Sequence, residues 1–406
     1  MKKLSLLFLV CLATFTCYSQ RFLTPQFEAV TEVLDVQYGF NYNYKGDSTQ
    51  LYLDLYMPLG DTMAKRPVII LAHGGSFIQG NKRSTDMIAI CTALAKRGYV
   101  VASIQYRIGI NIAGGNTLEK EFQQAAWRGA QDGRAAIRFL RKHIANGNLW
   151  QLDSDHFYSG GVSAGGIVAL QAECLDLVSE LSPLGLDTNT IGGIEGNSGN
   201  PGFSWRVNGI VNLCGALGNV NWLANNTNIS ICNMHGDLDK TVPYKSDYYK
   251  FFNSPVVFLQ GSFSVDSAAK VKGMNTRLYT FNGADHVPFV GASSSNIAYM
   301  DTVMNYVSAY LYRFVSGIIP IGLKEKSGNA FEVKVYPNPA KDFISISNAR
   351  IGSNLKLTNL TGQEILNSKV NHADTKLTIG DLPSGIYFIS IAEDNTIYYQ
   401  NKIVLE

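Results

Sequence analysis

Short apolar runs alternate with longer amphipathic segments through the first three quarters of the chain. Runs such as VIILA (68–72) and YVVASI (99–104) are almost entirely apolar, which is typical of strands covered on both faces of a parallel sheet. We predict strands at Glu32–Asn41, Gln50–Met57, Pro67–Ala72, Tyr99–Tyr106, His156–Val162, Val207–Cys214, Ile229–His235 and Thr276–Asn282. Helical periodicity predicts helices at Thr85–Arg97, Glu121–Ala145, Ala164–Glu180 and Ser294–Phe314. The alternation indicates an α/β fold with right-handed crossovers.

Two parts of the pattern differ from this alternation. Only NYKGDST (43–49) separates the first two strands, so we expect them to form an antiparallel hairpin at one edge of the sheet.

Residues 316–330 are predicted to be a linker. From 331 to 406 the runs are short and alternating, with turn signals between them, which predicts a small antiparallel β-sandwich. These runs are FEVKVY, DFISIS, LKLTNL, TKLTI, GIYFISI and YYQNKIVL.

The first residues carry an export signal. Two lysines precede the apolar run Leu4–Phe15, and small residues follow it, which predicts a signal peptide over residues 1–19. The run is shorter than the roughly 20 residues needed to span a bilayer; lipid attachment at Cys17 is a weaker alternative. Without Lys2 and Lys3, basic and acidic residues are equal in number, so no nucleic-acid or anionic-membrane partner is indicated.

Four cysteines follow this segment, all in apolar runs and without a CxxC spacing. An exported protein could pair them in three ways, but buried single thiols explain the same pattern, and both interpretations stay open. The four are Cys91, Cys174, Cys214 and Cys232.

The stretch YSGGVSAGGIVAL (158–170) holds the candidate nucleophile. Ser163 fits the form GxSxG at the junction of a predicted strand and a predicted helix. In such a junction Gly161 and Gly165 let strand and helix approach closely, and the helix N-terminus directs free N–H groups at the serine. A glycine turn with only a packing role is the competing interpretation, but the strand-turn-helix context favours a nucleophile.

A serine nucleophile requires a base and an acid that orients the base. Of the six histidines, His235 and His286 follow the serine within the sheet region, and His286 comes directly after the last predicted strand. Where the chain order is nucleophile, acid, histidine, the base comes last, so His286 is the predicted base. Asp237 and Asp239 both follow the preceding strand and both qualify as the acid.

Donors for an oxyanion are expected in HGGSF (73–77), directly after the third predicted strand. Its glycines allow the backbone to approach a substrate closely. We expect one backbone N–H from Gly74 or Gly75 and a second from Ala164, the residue after the nucleophile. Ser76 is a further candidate for the donor in this loop.

Residues 50–316 resemble α/β-hydrolases of the carboxylesterase type, close to the hormone-sensitive-lipase-like and bacterial feruloyl-esterase-like groups. The resemblance lies in LDLYMP, HGGSF, YVVASIQYR, AAWRGAQDGRAAIRFLR, GVSAGG, HGDLDKTVP and GADHVPF. It implies a catalytic domain over residues 20–315, without a metal or organic cofactor. The implied triad is Ser163, Asp239 and His286, with oxyanion donors from Gly74 or Gly75 and from Ala164. The HGxxDxxVP pattern favours Asp239 over Asp237 as the acid.

Residues 331–406 resemble the C-terminal sorting domain of type IX secretion, through VYPNPAKDFISIS, LTNLTGQEIL, LPSGIYFISI and NKIVLE. The resemblance implies that the secretion machinery is a partner and that the protein is secreted or held at the outer cell surface. A carbohydrate-binding or adhesive sandwich is the alternative. The absence of tryptophan from these residues favours the sorting role.

Together these features predict a secreted serine carboxylic-ester hydrolase that forms an acyl-enzyme with acyl or feruloyl esters of glycans. The alternatives are a lipase or polyester hydrolase, a non-catalytic adhesion protein, and a serine peptidase of the prolyl-oligopeptidase type. The segment 20–31 is too short for the propeller that such peptidases carry. We expect a cap at Ser182–Arg206 and pocket walls from Phe77, Phe203, Trp205 and Tyr244.

Overall fold

The computed structural model describes residues 20–181, 192–225, 228–316, 333–359, 363–393 and 396–406. The chain divides into two compact units, Met1–Gly317 and Ile318–Glu406. The predicted signal peptide lies outside the described residues, as does the predicted linker apart from Ser316.

The first unit is built on an eight-stranded sheet with the strand order β1-β2-β4-β3-β5-β6-β8-β11. β1 and β2 form an antiparallel hairpin at the edge, as predicted; β2 also runs antiparallel to β4, and the remaining neighbours are parallel. The strands of this sheet are β1 Val30–Tyr42, β2 Ser48–Pro58, β3 Arg66–Ala72, β4 Val100–Ile104, β5 Leu152–Val162, β6 Gly209–Leu213, β8 Ser230–Gly236 and β11 Thr276–Phe281.

Helices cover both faces of the sheet. They are α1 Thr85–Ala95, α2 Leu118–Ala145, α3 Ala164–Cys174, α4 Val178–Leu181, α5 Ser262–Val271 and α6 Ser294–Ser316, with a 3₁₀ helix at Val220–Asn225. Alternate residues of β3 face opposite sides: Val68 and Ile70 share a core with Leu140 of α2, whereas Ile69 shares one with Leu94 of α1. Burial on both faces explains the uninterrupted apolar runs and confirms the predicted α/β architecture. Among the described helices, none has the length and apolarity needed to cross a membrane.

The prediction of one helix from Ala164 to Glu180 is wrong at its C-terminal end. α3 ends at Cys174, because Leu175 is extended and its carbonyl accepts a hydrogen bond of 2.7 Å from Nη2 of Arg134. The same guanidinium donates to the carbonyl of Ala172 at 2.7 Å. A buried cation from α2 thus satisfies carbonyls at the helix end, an interaction with no local signal in the sequence.

The sequence pattern also gave no role to residues 254–273, which complete a second, smaller sheet. Strand β9 (Ser246–Phe251) pairs antiparallel with β10 (Ser254–Gly261), which pairs with the short strand β7 (Ala216–Leu217). Helix α5 follows β10 directly. This hairpin packs over the carboxyl end of the main sheet, where Tyr249, Val257 and Leu259 belong to the same core as α2 and α3 residues.

The second unit consists of two antiparallel sheets, which agrees with the predicted sandwich. Its core contains alternate strand residues such as Ile344, Leu357, Ile389 and Ile403. One sheet contains β12 Lys334–Tyr336, β13 Phe343–Ser347 and β16 Thr375–Thr378. The other contains β14 Asn354–Asn359, β15 Glu364–Lys369, β17 Gly385–Glu393 and β18 Thr396–Leu405. The six predicted runs do not include β15.

The four cysteines among the described residues are free thiols, and all four are buried. Burial raises the pKa of the Cys232 thiol to about 12. These groups therefore fill the core as small apolar side chains, which is the second of the two interpretations of the sequence.

A close backbone approach in the first unit lies where β5 meets α3. A Cβ on Gly165 would lie 1.9 Å from the carbonyl oxygen of Ala72, at the end of β3. A Cβ on Gly161 would lie 2.4 Å from the backbone of Gly165. The two glycines therefore allow the contact between strand and helix that the GxSxG form predicts.

We predict that Gly165→Ala lowers the free energy of unfolding by about 3 kcal/mol, because backbone atoms of a central strand cannot move aside. The matched control is Gly133→Ala in α2, where a new Cβ would meet nothing closer than 3.5 Å. That variant should gain up to about 1 kcal/mol of helix propensity. Urea denaturation measures the free energy of unfolding of both variants. Similar changes in this free energy for the two variants would contradict the packing argument.

Candidate active site

Ser163 lies in the turn between β5 and α3, with φ 55° and ψ −117°. Left-handed backbone at a residue with a Cβ is strained by about 1 to 3 kcal/mol, and the surrounding contacts must maintain it. Its N–H donates to the carbonyl of Leu213 at 2.8 Å, and its carbonyl accepts from the N–H of Ile167 at 3.1 Å. The turn holds the side chain at the carboxyl edge of the sheet, 7% exposed.

His286 and Asp239 complete a hydrogen-bonded chain with this serine. The His286 ring accepts the Ser163 hydroxyl at Nε2, 2.8 Å from Oγ, and donates from Nδ1 to Oδ2 of Asp239 at 2.6 Å. The two loops meet because β8 and β11 are adjacent parallel strands whose carboxyl ends lie side by side. The structure thus brings together the three residues named from the sequence, which are up to 123 positions apart.

Asp239 is the anionic centre of the site. Its side chain is fully buried, and Oδ1 accepts the backbone N–H groups of Thr241 and Val242 at 2.8 and 2.9 Å. Burial acts to raise the pKa of this carboxyl, but hydrogen bonds from His235 and His286 outweigh it and lower the pKa to about 2. The carboxylate therefore stays charged and fixes the His286 tautomer that leaves Nε2 free to accept a proton.

His235 contacts Asp239, and the sequence did not predict this contact. The sequence interpretation considered His235 only as an alternative base. The fully buried ring donates from Nε2 to Oδ2 of Asp239 at 2.9 Å and accepts the Ser262 hydroxyl at Nδ1, 2.8 Å away. The Asn212 amide donates to the same hydroxyl at 3.0 Å. His235 and His286 thus hold one carboxylate oxygen between them. The motif HGDLD contains both His235 and Asp239, but the sequence does not show whether the histidine ring faces the aspartate.

Asp237 does not contact His286. Its Oδ1 accepts the N–H of Gly283 at 2.6 Å, which ties the acid loop to the histidine loop. Asp285, next to the histidine, accepts the N–H of Lys240 at 2.9 Å and ties the same loops from the other side. Of the two acids left open by the residue pattern, the geometry brings Asp239 to the base.

The loop after β3 lies against Ser163. A Cβ on Gly74 would be 3.4 Å from the Ser163 Cβ, and the next three residues have positive φ: 118° at Gly75, 57° at Ser76 and 60° at Phe77. This backbone brings Ser76 into the pocket beside Ser163 and Ala164. The expected donors from Gly74 or Gly75 and from Ala164 therefore lie in segments that adjoin the serine.

Side chains beneath this loop fix its path. The His73 ring donates from Nδ1 to the carbonyl of Gly74 at 2.7 Å and accepts the Gln105 amide at Nε2, 3.2 Å away. The Tyr106 hydroxyl donates to the His73 carbonyl at 2.9 Å. Burial lowers the pKa of His73, which favours the neutral ring that this pattern of one donor and one acceptor requires.

A largely apolar pocket opens beside Ser163 and extends between α2, α3 and the β9–β10 hairpin. Strand β10 supplies Val257, Phe258 and Leu259, and β9 supplies Tyr249. The other apolar lining residues are Phe77, Phe122, Ala126, Trp127, Ala164, Ile167, Leu175, Trp222 and Val242. The hairpin that had no assigned role therefore forms one wall of the candidate site.

The expected pocket walls are correct for Phe77 and wrong for the other three residues. Tyr244 points elsewhere: its hydroxyl bonds to Thr280 Oγ1 at 2.6 Å. Among the described residues of the expected cap, neither Phe203 nor Trp205 lines the pocket.

The described part of that segment, 192–206, is tied to α2 instead. Arg138 of α2 donates to the carbonyl of Gly199 at 2.9 Å, and the Ser198 hydroxyl donates to the buried carboxylate of Asp132 at 2.6 Å. The Trp205 ring lies 5.1 Å from the guanidinium carbon of Arg134. These contacts hold the segment against α2, and residues 182–191 lie outside the described chain.

Known families match both units. Residues 53–230 match the BD-FAE family, a family of esterase domains, and residues 334–406 match the family described as secretion system C-terminal sorting domain. The first unit thus has the predicted α/β fold and resembles an esterase domain over residues 53–230, and the second unit resembles a secretion sorting domain over residues 334–406. The predicted resemblances and fold class are confirmed, as is export to the medium or the cell surface.

Curated relatives match over short stretches. Carboxylesterase 3B of Mus musculus is 33% identical over 121 residues, 29% of this chain and 20% of the relative. Beta-agarase A of Zobellia galactanivorans is 34% identical over 64 residues, 15% of this chain and 12% of the relative. The chain thus spans a fifth or less of either relative.

Similar solved structures include Thermogutta terrifontis esterase 2 phosphorylated by paraoxon, at 20% identity and a TM-score of 0.47, covering 73% of this chain and 98% of that one. Another is a truncated carbohydrate esterase from gut microbiota, at 17% identity and a TM-score of 0.45, covering 70% and 98% of the two chains.

We predict that the stabilising contribution of Asp239 disappears in acid. The folded pKa is about 2 and the ordinary value 3.8, so the contribution is fully present above pH 3.8 and is lost as the pH falls through 2. The shift corresponds to roughly 2 kcal/mol. Urea unfolding at pH values from 5 to 2 measures the free energy of unfolding of the wild type and of Asp239→Asn. The difference between the two free energies should narrow by that amount over this range. A difference that does not change with pH would contradict the lowered pKa.

Proposed function

We propose that this protein is an exported serine carboxylic-ester hydrolase that works through an acyl-enzyme. The observation that carries the proposal is the chain Ser163–His286–Asp239, with links of 2.8 and 2.6 Å, at one end of an apolar pocket. The BD-FAE match over residues 53–230 supports the same reaction class.

In this mechanism His286 takes the hydroxyl proton of Ser163 as Oγ attacks the ester carbonyl. The backbone N–H groups of Ala164 and of Gly74 or Gly75 stabilise the oxyanion. The protonated imidazole then gives its proton to the leaving alcohol, and water cleaves the acyl-enzyme by the reverse sequence. Asp239 stays ionised and stabilises the imidazolium ion, because its pKa of about 2 lies far below the working pH.

His235 acts as a positioning residue in this scheme. The N–H groups of Thr241 and Val242 hold Oδ1 of Asp239, and both histidine rings hold Oδ2, so donors on both oxygens fix the plane of the carboxylate. The ring supplies the second side-chain donor on Oδ2, and the Ser262 hydroxyl fixes the tautomer that makes Nε2 the donor.

The substrate proposal combines the pocket with export. Apolar and aromatic walls suit an acyl chain or an aromatic acid, and export brings the protein to esters outside the cell, such as acyl or feruloyl groups on glycans. Lipid and polyester esters have the same carbonyl chemistry and are the alternatives. The type IX secretion machinery is the proposed partner of the sorting domain.

We predict that Ser163→Ala or His286→Ala lowers kcat on an aryl ester by about 10⁵-fold or more, and Asp239→Asn by about 10⁴-fold. Asp237→Asn is the matched control, because this side chain bonds to Gly283 and not to His286. It should stay within tenfold of the wild type. Hydrolysis unchanged in Ser163→Ala would refute the proposed nucleophile.

A separate measurement tests whether the protein cleaves ester bonds or amide bonds. The mature protein should cleave aryl esters of graded acyl length, and acetyl and hydroxycinnamoyl sugars, with peptide amides at least about 10³-fold slower. Amide cleavage without ester cleavage would favour the peptidase alternative and overturn the esterase proposal.

A further inference from the structure

Gln171 is a polar residue deep in an otherwise apolar part of the pocket. It belongs to α3, lines the pocket and is 6% exposed. Within the described part of the chain, no hydrogen bond involves its side-chain carboxamide. Because the residue lines the pocket, a ligand that fills this part would cover the carboxamide, and a covered amide without a hydrogen bond costs free energy. This favours a ligand with a group that the carboxamide can bind.

Gln123 provides the contrast. It also lines the pocket, but it is half-buried, and its amide donates to Glu119 on the same helix at 3.5 Å. The other polar lining residues, Ser76 and Ser163, lie at the catalytic end. Gln171 is thus a polar group of the distal part, where Trp127, Trp222 and Leu175 also line the pocket. The indole N–H of Trp127 is buried there without a partner among the described residues, so it is a second donor in this part.

The helix sets the distance between Gln171 and the nucleophile. Ala164, Ile167, Gln171 and Leu175 are spaced at helical intervals along the face of α3 that lines the pocket. Eight residues separate Gln171 from Ser163, about 12 Å at 1.5 Å per residue. Because helical side chains lean toward the N-terminus, the amide lies roughly 8 to 10 Å from the nucleophile.

We propose that Gln171 is a specificity residue that binds a hydroxyl or other hydrogen-bonding group at the far end of the acyl part of the substrate. The acyl part then has an apolar body, which the aromatic walls contact, and a polar end roughly 8 to 10 Å from the ester carbonyl. A purely apolar acyl group would remove water from the amide without replacing its hydrogen bonds. The inference rests on the proposed function for the identity of the substrate as an ester.

Binding tests the inference without turnover. In a Ser163→Ala background, calorimetry compares methyl 3-(4-hydroxyphenyl)propanoate with methyl 3-phenylpropanoate, which differ only in the distal hydroxyl. We expect the hydroxylated ester to bind about tenfold more tightly. Adding Gln171→Met should abolish this ratio, whereas adding Gln123→Met should leave it intact. Equal binding of the two esters, no binding of either, or a preference that survives Gln171→Met would overturn the proposal.

Kinetics separate this proposal from the proposed function. With Ser163 intact, Gln171→Met should lower kcat/KM about tenfold for the 4-nitrophenyl ester of 3-(4-hydroxyphenyl)propanoate. It should leave 4-nitrophenyl acetate unchanged, because an acetyl group does not reach residue 171. An equal loss on both esters would indicate a structural role and overturn the specificity assignment. If the wild type hydrolysed neither ester, the proposed function would fail, while the binding ratio would still decide the role of Gln171.

Discussion

The contact between the end of β3 and the turn after β5 constrains the whole site. Neither Gly161 nor Gly165 has room for a Cβ. A Cβ on Gly161 would meet the backbone of Gly165 and of Ala72, and a Cβ on Gly165 would meet the backbone of Ala72. This packing leaves Ser163 in the left-handed region at φ 55°, with its hydroxyl directed out of the sheet edge. The same packing brings the loop at Gly74 to the serine. One contact therefore fixes the positions of both Ser163 and the expected oxyanion loop.

A second constraint is the charge of Asp239. An ionised carboxylate without solvent contact is costly unless hydrogen bonds replace the lost water. Here two backbone N–H groups and two histidine rings do so, and together they keep the carboxyl ionised far below neutral pH. The loop 237–242 is therefore built around the charge, and the histidine loop docks on it through Asp237 and Asp285. The orientation of the His286 ring depends on this anion.

The sequence predicted features governed by local pattern or chain order and missed those that depend on distant contacts. Continuous apolar runs located the strands, and the order of motifs identified the three residues that meet in the structure. The end of α3 was mispredicted because the guanidinium that caps it comes from Arg134, in a different helix. The β9–β10 hairpin was missed because its two turn residues with positive φ are Phe252 and Asn253, not the Asn-Gly that signals such a turn.

The pocket was predicted least well for the same reason. Phe203 and Trp205 were assigned to it because the segment after the nucleophile helix was expected to be a cap, and Tyr244 was a further candidate. In the structure Trp205 packs against the guanidinium groups of two arginines, and Tyr244 bonds to Thr280. Its actual wall comes from a hairpin some 90 residues beyond the serine. The role of His235 was likewise hidden, because a buried histidine that positions a carboxylate and one that only packs have the same sequence pattern.

The central claim is that Ser163 is a nucleophile activated by His286. Labelling with a fluorophosphonate, followed by peptide mass spectrometry, tests it most directly, because only an activated serine displaces fluoride from phosphorus rapidly. The account predicts one label per molecule, on the peptide that contains Ser163, and a labelling rate at least 10³-fold lower in His286→Gln. No label, a label on another residue, or a rate unchanged in His286→Gln would contradict it.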